Sequence, residues 1–352
     1  MNKLKSSHWW SLSVAWLIGV AIGWHQYFEH RNELAIKGAE MAKVKAIFES
    51  LEQQPKLGTE VVANADRLKQ HVQALSHQRF TPAELKQARG YISHQLIKCG
   101  YDPIQRGFSG GINVEVSHKA DSHTADTIIV GAHYDTVHGT PGADDNASGV
   151  AGLIELACIA RQRRFDAHLR FVFFDGEERG RAGSRAYLMN PDRRQNVVGA
   201  LVLEMIGATC HKPGCQMWPG TVPGWMRRAD GQFIAAVGDI GDSRLLASVA
   251  MATGPGRPDI HAVPVLRAGI DFPDSRRSDH ASFWDVGISA VMLTDTADFR
   301  TPHYHSQTDT TEHLDFQFMR GVVDIALDAI IFFDAKLKRS REARSSIFDG
   351  GL

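Results

Sequence analysis

Four apolar runs in this chain end on charged or metal-binding side chains, and this pattern limits the fold more than any other feature. Thr127–Val130 runs into Gly131-Ala132-His133-Tyr134-Asp135, and Leu169–Phe174 runs into Asp175-Gly176-Glu177-Glu178. Val197–Leu203 ends on Glu204, and Ser289–Leu293 leads to a loop holding His303 and His305. Short apolar runs without alternation are the pattern of strands buried on both faces, as in a parallel sheet. Parallel strands bring their C-terminal ends to one edge, where open α/β sheets hold ligands. Groups far apart in sequence therefore converge there. Asp145 joins them from the Gly-rich stretch Pro141 to Gly149 that follows the first run.

Helical patterns alternate with these runs. Val62, Ala65, Leu68, Val72 and Leu75 recur at helical spacing, and Thr81-Pro82-Ala83-Glu84 is a helix start that carries the chain to Gly100. Ser148 to Arg161 reads as a helix in which Gly149 and Gly152 allow close packing, Gly183 starts another, and Leu314 to Phe333 closes the domain. Ile112 to Val116 alternates and is expected at a sheet edge. The expected class is α/β, with a mainly parallel central sheet and helices on both faces. The segment from Ala208 to Gly231, rich in Gly and Pro, reads as a loop near the site.

Lys3 and Lys5 precede Trp9 to Phe28, which holds no Asp, Glu, Lys or Arg and is long enough to cross a bilayer as a helix. Trp9, Trp10, Trp24 and Tyr27 stand at its two ends, as interfacial aromatics do. The expectation is a single-pass inner-membrane anchor within residues 1–30, with the rest of the chain in the periplasm. The alternative is secretion after cleavage near Ala21-Ile22-Gly23. A helical stalk or linker is expected over 31–58, the main domain over 59–336, and a frayed, charged tail over 337–352. The net charge of −1 argues against nucleic acid as a partner. Of the four cysteines, Cys210 and Cys215 flank a turn and suit a disulfide in an exported domain, the alternative being two free thiols. Cys99 and Cys158 lie in helical patterns and are expected as buried thiols.

The motifs around His133 and Asp135, Asp144-Asp145-Asn146-Ala147-Ser148-Gly149, Asp175-Gly176-Glu177-Glu178, Leu203-Glu204-Met205 and His305-Ser306-Gln307-Thr308-Asp309-Thr310 stand in one order. Together they resemble the co-catalytic di-zinc aminopeptidase family, which includes secreted bacterial aminopeptidases, glutamate carboxypeptidase and the glutaminyl cyclases. The resemblance covers roughly residues 60 to 335. It implies two zinc ions per chain: one on His133 and Glu204, the other on Glu178 and His305, with Asp145 bridging. It further implies Glu177 as general base and Asp135 as the group that orients His133. Many family members carry Asp where this chain has Glu204.

The chemistry of these side chains suits the implied roles. Imidazole and carboxylate are both zinc donors. Two ions about 3.5–4 Å apart share a carboxylate and a water, and a free carboxylate beside that water acts as base and then acid. Asp144 stands as the alternative to Asp145, Glu177 and Glu178 are open to exchange, and His303 is the alternative to His305. His138 is expected at the rim. Asp279 and His280, within Arg277-Ser278-Asp279-His280, are expected to shape the substrate cleft, with a helix N-cap as the alternative. The function implied is an exported, membrane-anchored zinc metallopeptidase, an aminopeptidase acting on peptide substrates. A glutaminyl cyclase-like acyltransferase and an inactive binding protein are the alternatives.

Overall fold

The computed structural model describes residues 37–60, 62–121 and 126–349. The anchor expected over residues 9–28 lies outside them. Among the described residues no helix is long and apolar enough to cross a membrane. Residues 37–52 form helix α1.

From residue 50 onward the chain forms one unit built on an eight-stranded sheet. Its strands are β1 (Ile104–Phe108), β2 (Gly111–His118), β3 (Thr127–His133), β4 (His168–Phe174), β5 (Val197–Glu204), β6 (Phe233–Asp239), β7 (Asp259–Val265) and β8 (Ala290–Thr294). The order across the sheet is β1-β2-β4-β3-β5-β8-β6-β7. The four central strands, β4, β3, β5 and β8, run parallel, as their unbroken apolar sequences predict. Both flanks reverse: β2 is antiparallel to β4, and β6 is antiparallel to β8. The sheet is therefore mixed, with its parallel part confined to the centre.

Helices α2 (Ala65–Leu75), α3 (Pro82–Lys98), α4 (Gly149–Ala160), α7 (Arg244–Met251) and α9 (Phe316–Asp349) form one group, in which α4 packs on β3, β4 and β5. Helices α5 (Ala182–Met189), α6 (Pro191–Arg194) and α8 (His280–Trp284) form another. Phe171 and Phe174 are an odd number of positions apart on β4, so they face opposite ways. Phe171 meets Tyr101, just beyond α3, while Phe174 meets Tyr187 of α5 and Phe283 of α8. Thr81 caps α3 in the reciprocal box that its sequence predicts: its hydroxyl takes the Glu84 amide, and the Glu84 carboxylate takes the Thr81 amide at 2.8 Å. Gly152 brings α4 within contact of Leu203 and Ile206, where a Cβ would lie 2.9 Å from the Ile206 side chain.

Three expectations are corrected. Residues 112–116 belong to β2, which is paired on both sides; the edge strand is β1, whose Gln, Arg and Gly residues hide any alternation. Cys99 and Cys158 are not thiols. They form a disulfide with Cα atoms 5.2 Å apart, because α3 ends beside α4. The closing helix does not stop at Phe333 but runs on to Asp349. Cys210 and Cys215 are also joined, with Cα atoms 6.2 Å apart.

Candidate metal centre

Strand register decides which side chains meet. Gly131 of β3 is level with Val202 of β5, so His133 and Glu204 come to the same height on adjacent parallel strands. His133 is also level with Phe174 at the end of β4, one residue before the Asp175-Gly176-Glu177-Glu178 turn. Asp145 enters from the turn between β3 and α4, and its peptide bond to Asn146 is cis. His305 comes from the loop after β8.

These groups form two trios that share one residue. His133 Nε2 lies 3.3 Å from Asp145 Oδ1 and 3.4 Å from Glu204 Oε2. His305 Nε2 lies 3.1 Å from Asp145 Oδ2 and 3.2 Å from Glu178 Oε2. The two oxygens of Asp145 thus serve one trio each, and in each trio the donor atoms lie within 4.8 Å of one another. Glu178 Oε1 is buried without a hydrogen-bond partner.

The electrostatics call for added positive charge. Burial opposes a charged His133, yet the Glu204 carboxylate and hydrogen bonds to Asp135 and Asp145 outweigh it and hold the imidazole well above its ordinary value. Burial likewise opposes His305, but Asp145 and Glu178 lift it to about 10. Asp145 is buried too, and the two imidazoles pull it below the usual carboxylate range. Burial, then the charge of Asp145, pushes Glu178 up to about 7. Two imidazoles and three carboxylates converge here, one carboxylate with a buried, unpartnered oxygen, and this donor set fits a pair of divalent ions.

Outer groups hold the five in place. Asp135 is fully buried and faces His133 Nδ1 with a carboxylate oxygen at 3.4 Å and its main-chain oxygen at 3.2 Å. Asp309 accepts the main-chain N–H of Asp144 at 2.8 Å and of Asp145 at 3.0 Å. Ser278 donates its hydroxyl to Glu204 Oε2 at 2.6 Å. Glu177 belongs to neither trio, but its carboxyl feels the charges of His133, Asp279, Glu204 and Glu178, and burial raises it well above its ordinary value.

Beside Glu204 opens an apolar cavity of about 100 Å³. Trp218, Val222, Met226, Val263, Phe272 and Met292 line much of it. Residues from the 208–231 loop therefore border the cluster, near the site as their sequence suggests, and residues from the 257–274 region join them.

A family model for peptidase family M28 matches residues 113–330, which contain all seven of the site residues named from sequence. The chain belongs to peptidase family M28. A protein of uncharacterised function from Escherichia coli (strain K12), YfbL, is 38% identical over 216 residues, 56% of this chain and 64% of that protein. Aminopeptidase YwaD of Bacillus subtilis (strain 168) is 24% identical over 229 residues, 63% of this chain and 44% of that one. The chain thus spans less than two thirds of the length of these relatives. A solved zinc aminopeptidase from Bacillus subtilis shares the fold, with a TM-score of 0.57 at 15% identity, over 77% of this chain and 95% of that structure.

The alternatives within the M28 site separate on geometry. Asp144 turns away from both trios: its Oδ1 accepts the Gly207 amide at 3.0 Å. His303 stacks on His313 at 3.8 Å and contacts Thr308, so it is not in the cluster. His138 packs edge-on against Phe80. His280 does not line the cavity; it is fully buried, with Nε2 2.6 Å from Ser275 O, and it packs on Trp284. Asp279 is also fully buried, and burial pushes it up to about 7. The roles of Ser278 and Asp309 were not legible in sequence. Their partners lie 74 and about 165 positions away, and no local pattern marks a hydroxyl that meets a distant carboxylate.

Proposed function

We propose that the chain is a zinc-dependent peptidase that removes N-terminal residues from peptides. The observation that carries this reading is the shared carboxylate: Asp145 offers one oxygen to His133 and Glu204 and the other to Glu178 and His305. His133, Glu204 and Asp145 would hold one zinc, and Glu178, His305 and Asp145 the second. A bound pair supplies Lewis acidity to the scissile carbonyl and acidifies water. Glu177 takes the proton of the attacking water and returns it to the leaving amine as the peptide C–N bond breaks. Asp135 holds His133 in one tautomer, and Ser278 holds Glu204. The apolar cavity beside Glu204 would receive an apolar side chain of the first residue.

The proposed catalytic domain spans residues 59–336, preceded by a stalk over 31–58 and an anchor within 1–30. Two disulfides support export to an oxidising compartment, since such bonds persist there and are rare in the cytosol. The proposed location is the outer face of the inner membrane, held by residues 9–28.

The test is hydrolysis of aminoacyl-4-nitroanilides and short peptides by the whole chain, with loss on chelation and return with zinc. Leucyl and phenylalanyl substrates should lead. Conversion of N-terminal Gln to pyroglutamate without peptide cleavage would overturn the peptidase reading in favour of a cyclase. Fractionation of membrane and soluble material tests the anchor.

A further inference from the structure

One buried cation stands directly behind the cluster and belongs to neither trio. Arg79 lies in the loop between α2 and α3 and has no exposed surface. Its guanidinium spends its hydrogens on main-chain oxygens. Nε donates to Tyr134 O at 2.7 Å. Nη1 donates to Leu75 O, to His77 O at 3.0 Å and to Pro141 O at 3.0 Å. Nη2 donates to Gly142 O at 2.9 Å and reaches Asp145 O at 3.5 Å. The Arg79 main chain is also fixed, its N–H on Thr136 Oγ1 at 3.0 Å and its oxygen on the Thr136 amide at 3.1 Å.

Burying a guanidinium costs several kcal/mol unless its hydrogens are used, and here they are used on two segments in particular. Tyr134 follows His133 at the end of β3, and the Pro141 to Asp145 turn carries the shared carboxylate. The planar fork therefore spans the gap between the two segments that set the distance from His133 to Asp145. Lysine offers three hydrogens from a point and cannot reproduce that span. The turn is shaped around the fork. Gly142 has φ +62°, and a Cβ there would lie 2.8 Å from Arg79 Nη2 and press on Asp145 O and Thr136.

We propose that Arg79 is the positioning residue for the shared carboxylate: its fork ties the end of β3 to the Asp145 turn and so sets the affinity of the metal pair. This rests on the reading of the two trios as metal sites. The experiment is titration of the metal-free whole chain with Co²⁺, followed by visible absorption and calorimetry, on wild type, Arg79→Lys and Gly142→Ala. Wild type should take two Co²⁺. Arg79→Lys should bind them about 10- to 100-fold more weakly, the usual effect of losing a group that orients ligands, with a changed cobalt spectrum. Gly142→Ala keeps the guanidinium but crowds both it and the Asp145 turn, and should shift affinity and spectrum in the same direction. Arg257→Lys is the control for general loss of stability. That buried arginine pairs with Asp328 and touches none of the five ligands, so its variant should lose thermal stability yet keep the wild-type spectrum. Wild-type affinity and spectrum in Arg79→Lys and Gly142→Ala would overturn the inference while leaving the zinc reading intact. If Arg79→Lys does not fold, Thr136→Ala decides: it removes the hydroxyl that accepts the Arg79 N–H at 3.0 Å and is none of the five ligands, so it should weaken Co²⁺ binding, and wild-type affinity there would overturn the inference. Failure of wild type to bind two Co²⁺ would overturn the zinc reading first, and this inference with it.

Discussion

Asp135 Oδ1 accepts the main-chain N–H of Glu177 at 3.0 Å. Its other oxygen accepts the Glu178 amide at 3.3 Å, and the same residue faces His133 Nδ1. One carboxylate just beyond β3 therefore sets the turn that presents the proposed base and one proposed ligand, and orients a second proposed ligand. Asp135→Asn keeps the shape but replaces one acceptor with an NH₂ group that repels an amide hydrogen. Zinc affinity should fall about 10- to 100-fold, with loss of turnover at subsaturating zinc. Competition titration against a chromogenic chelator measures it.

Glu177→Gln separates base from ligand. The side chain lies outside both trios, so zinc content should stay at two per chain. Turnover should drop by about 10²- to 10⁴-fold, the range for removing a general base. A variant that loses zinc would mean that Glu177 and Glu178 have exchanged roles.

Ser278→Ala removes the 2.6 Å hydrogen bond to Glu204 Oε2. Glu204 has a longer arm than Asp and needs this restraint to hold one rotamer. The zinc shared by His133 and Glu204 should bind about tenfold more weakly or worse, while the affinity of the other position changes little. Equal weakening at both positions would show that the hydroxyl acts on the whole cleft rather than on Glu204.

The two disulfides should differ in their effect on stability. Cys99 and Cys158 are 59 residues apart, whereas Cys210 and Cys215 are separated by 5. A loop of the first size restrains the unfolded chain by roughly 4 kcal/mol in the chain-entropy account, and a short loop by less. Cys99→Ser/Cys158→Ser should shift the urea midpoint further than Cys210→Ser/Cys215→Ser. The reverse order would place the second bond in a structural role that its short loop does not suggest.

Acid should weaken the metal-free fold through histidines that are buried neutral. Burial pulls His71 down to about 4, against the opposing charge of Glu155, and its Nδ1 lies 2.8 Å from the Tyr91 hydroxyl. His261 is also pulled to about 4 by burial. Each folded pKa lies below the unfolded value, so the unfolded chain binds more protons as pH falls. The stability involved is complete above pH 6.5 and is lost from there towards pH 4, by up to roughly 3 kcal/mol per histidine. His71→Gln should flatten the slope of unfolding free energy between pH 6.5 and 4.5 relative to wild type, as read by urea denaturation.

The central strands, the capped start of α3 and the candidates for both trios were legible in sequence because each rests on a local pattern, with the choice among those candidates resting on the family resemblance. An unbroken apolar run, a Thr-x-x-Glu box and an acid at a strand end all fit within a few positions. Register then does the rest: with Gly131 of β3 level with Val202 of β5, His133 and Glu204 come side by side. The edge strand β1 escaped because an exposed Ile-Gln-Arg-Gly-Phe segment buries too little to show a period. Arg79 escaped because a lone arginine in a loop reads as a solvated charge, yet it has no exposed surface.

By itself, then, the sequence determined the class of fold and the chemical identity of the donors, since both follow from the order of side chains along single strands and turns. Tertiary structure alone decided which of Asp144 and Asp145 joins both trios, which cysteines pair, and that Ser278, Asp309 and Arg79 stand around the five residues of the trios. Those choices depend on distances between segments tens to more than a hundred residues apart. Only the packing of β3, β5, β8 and α4 sets such distances, and no local pattern encodes them.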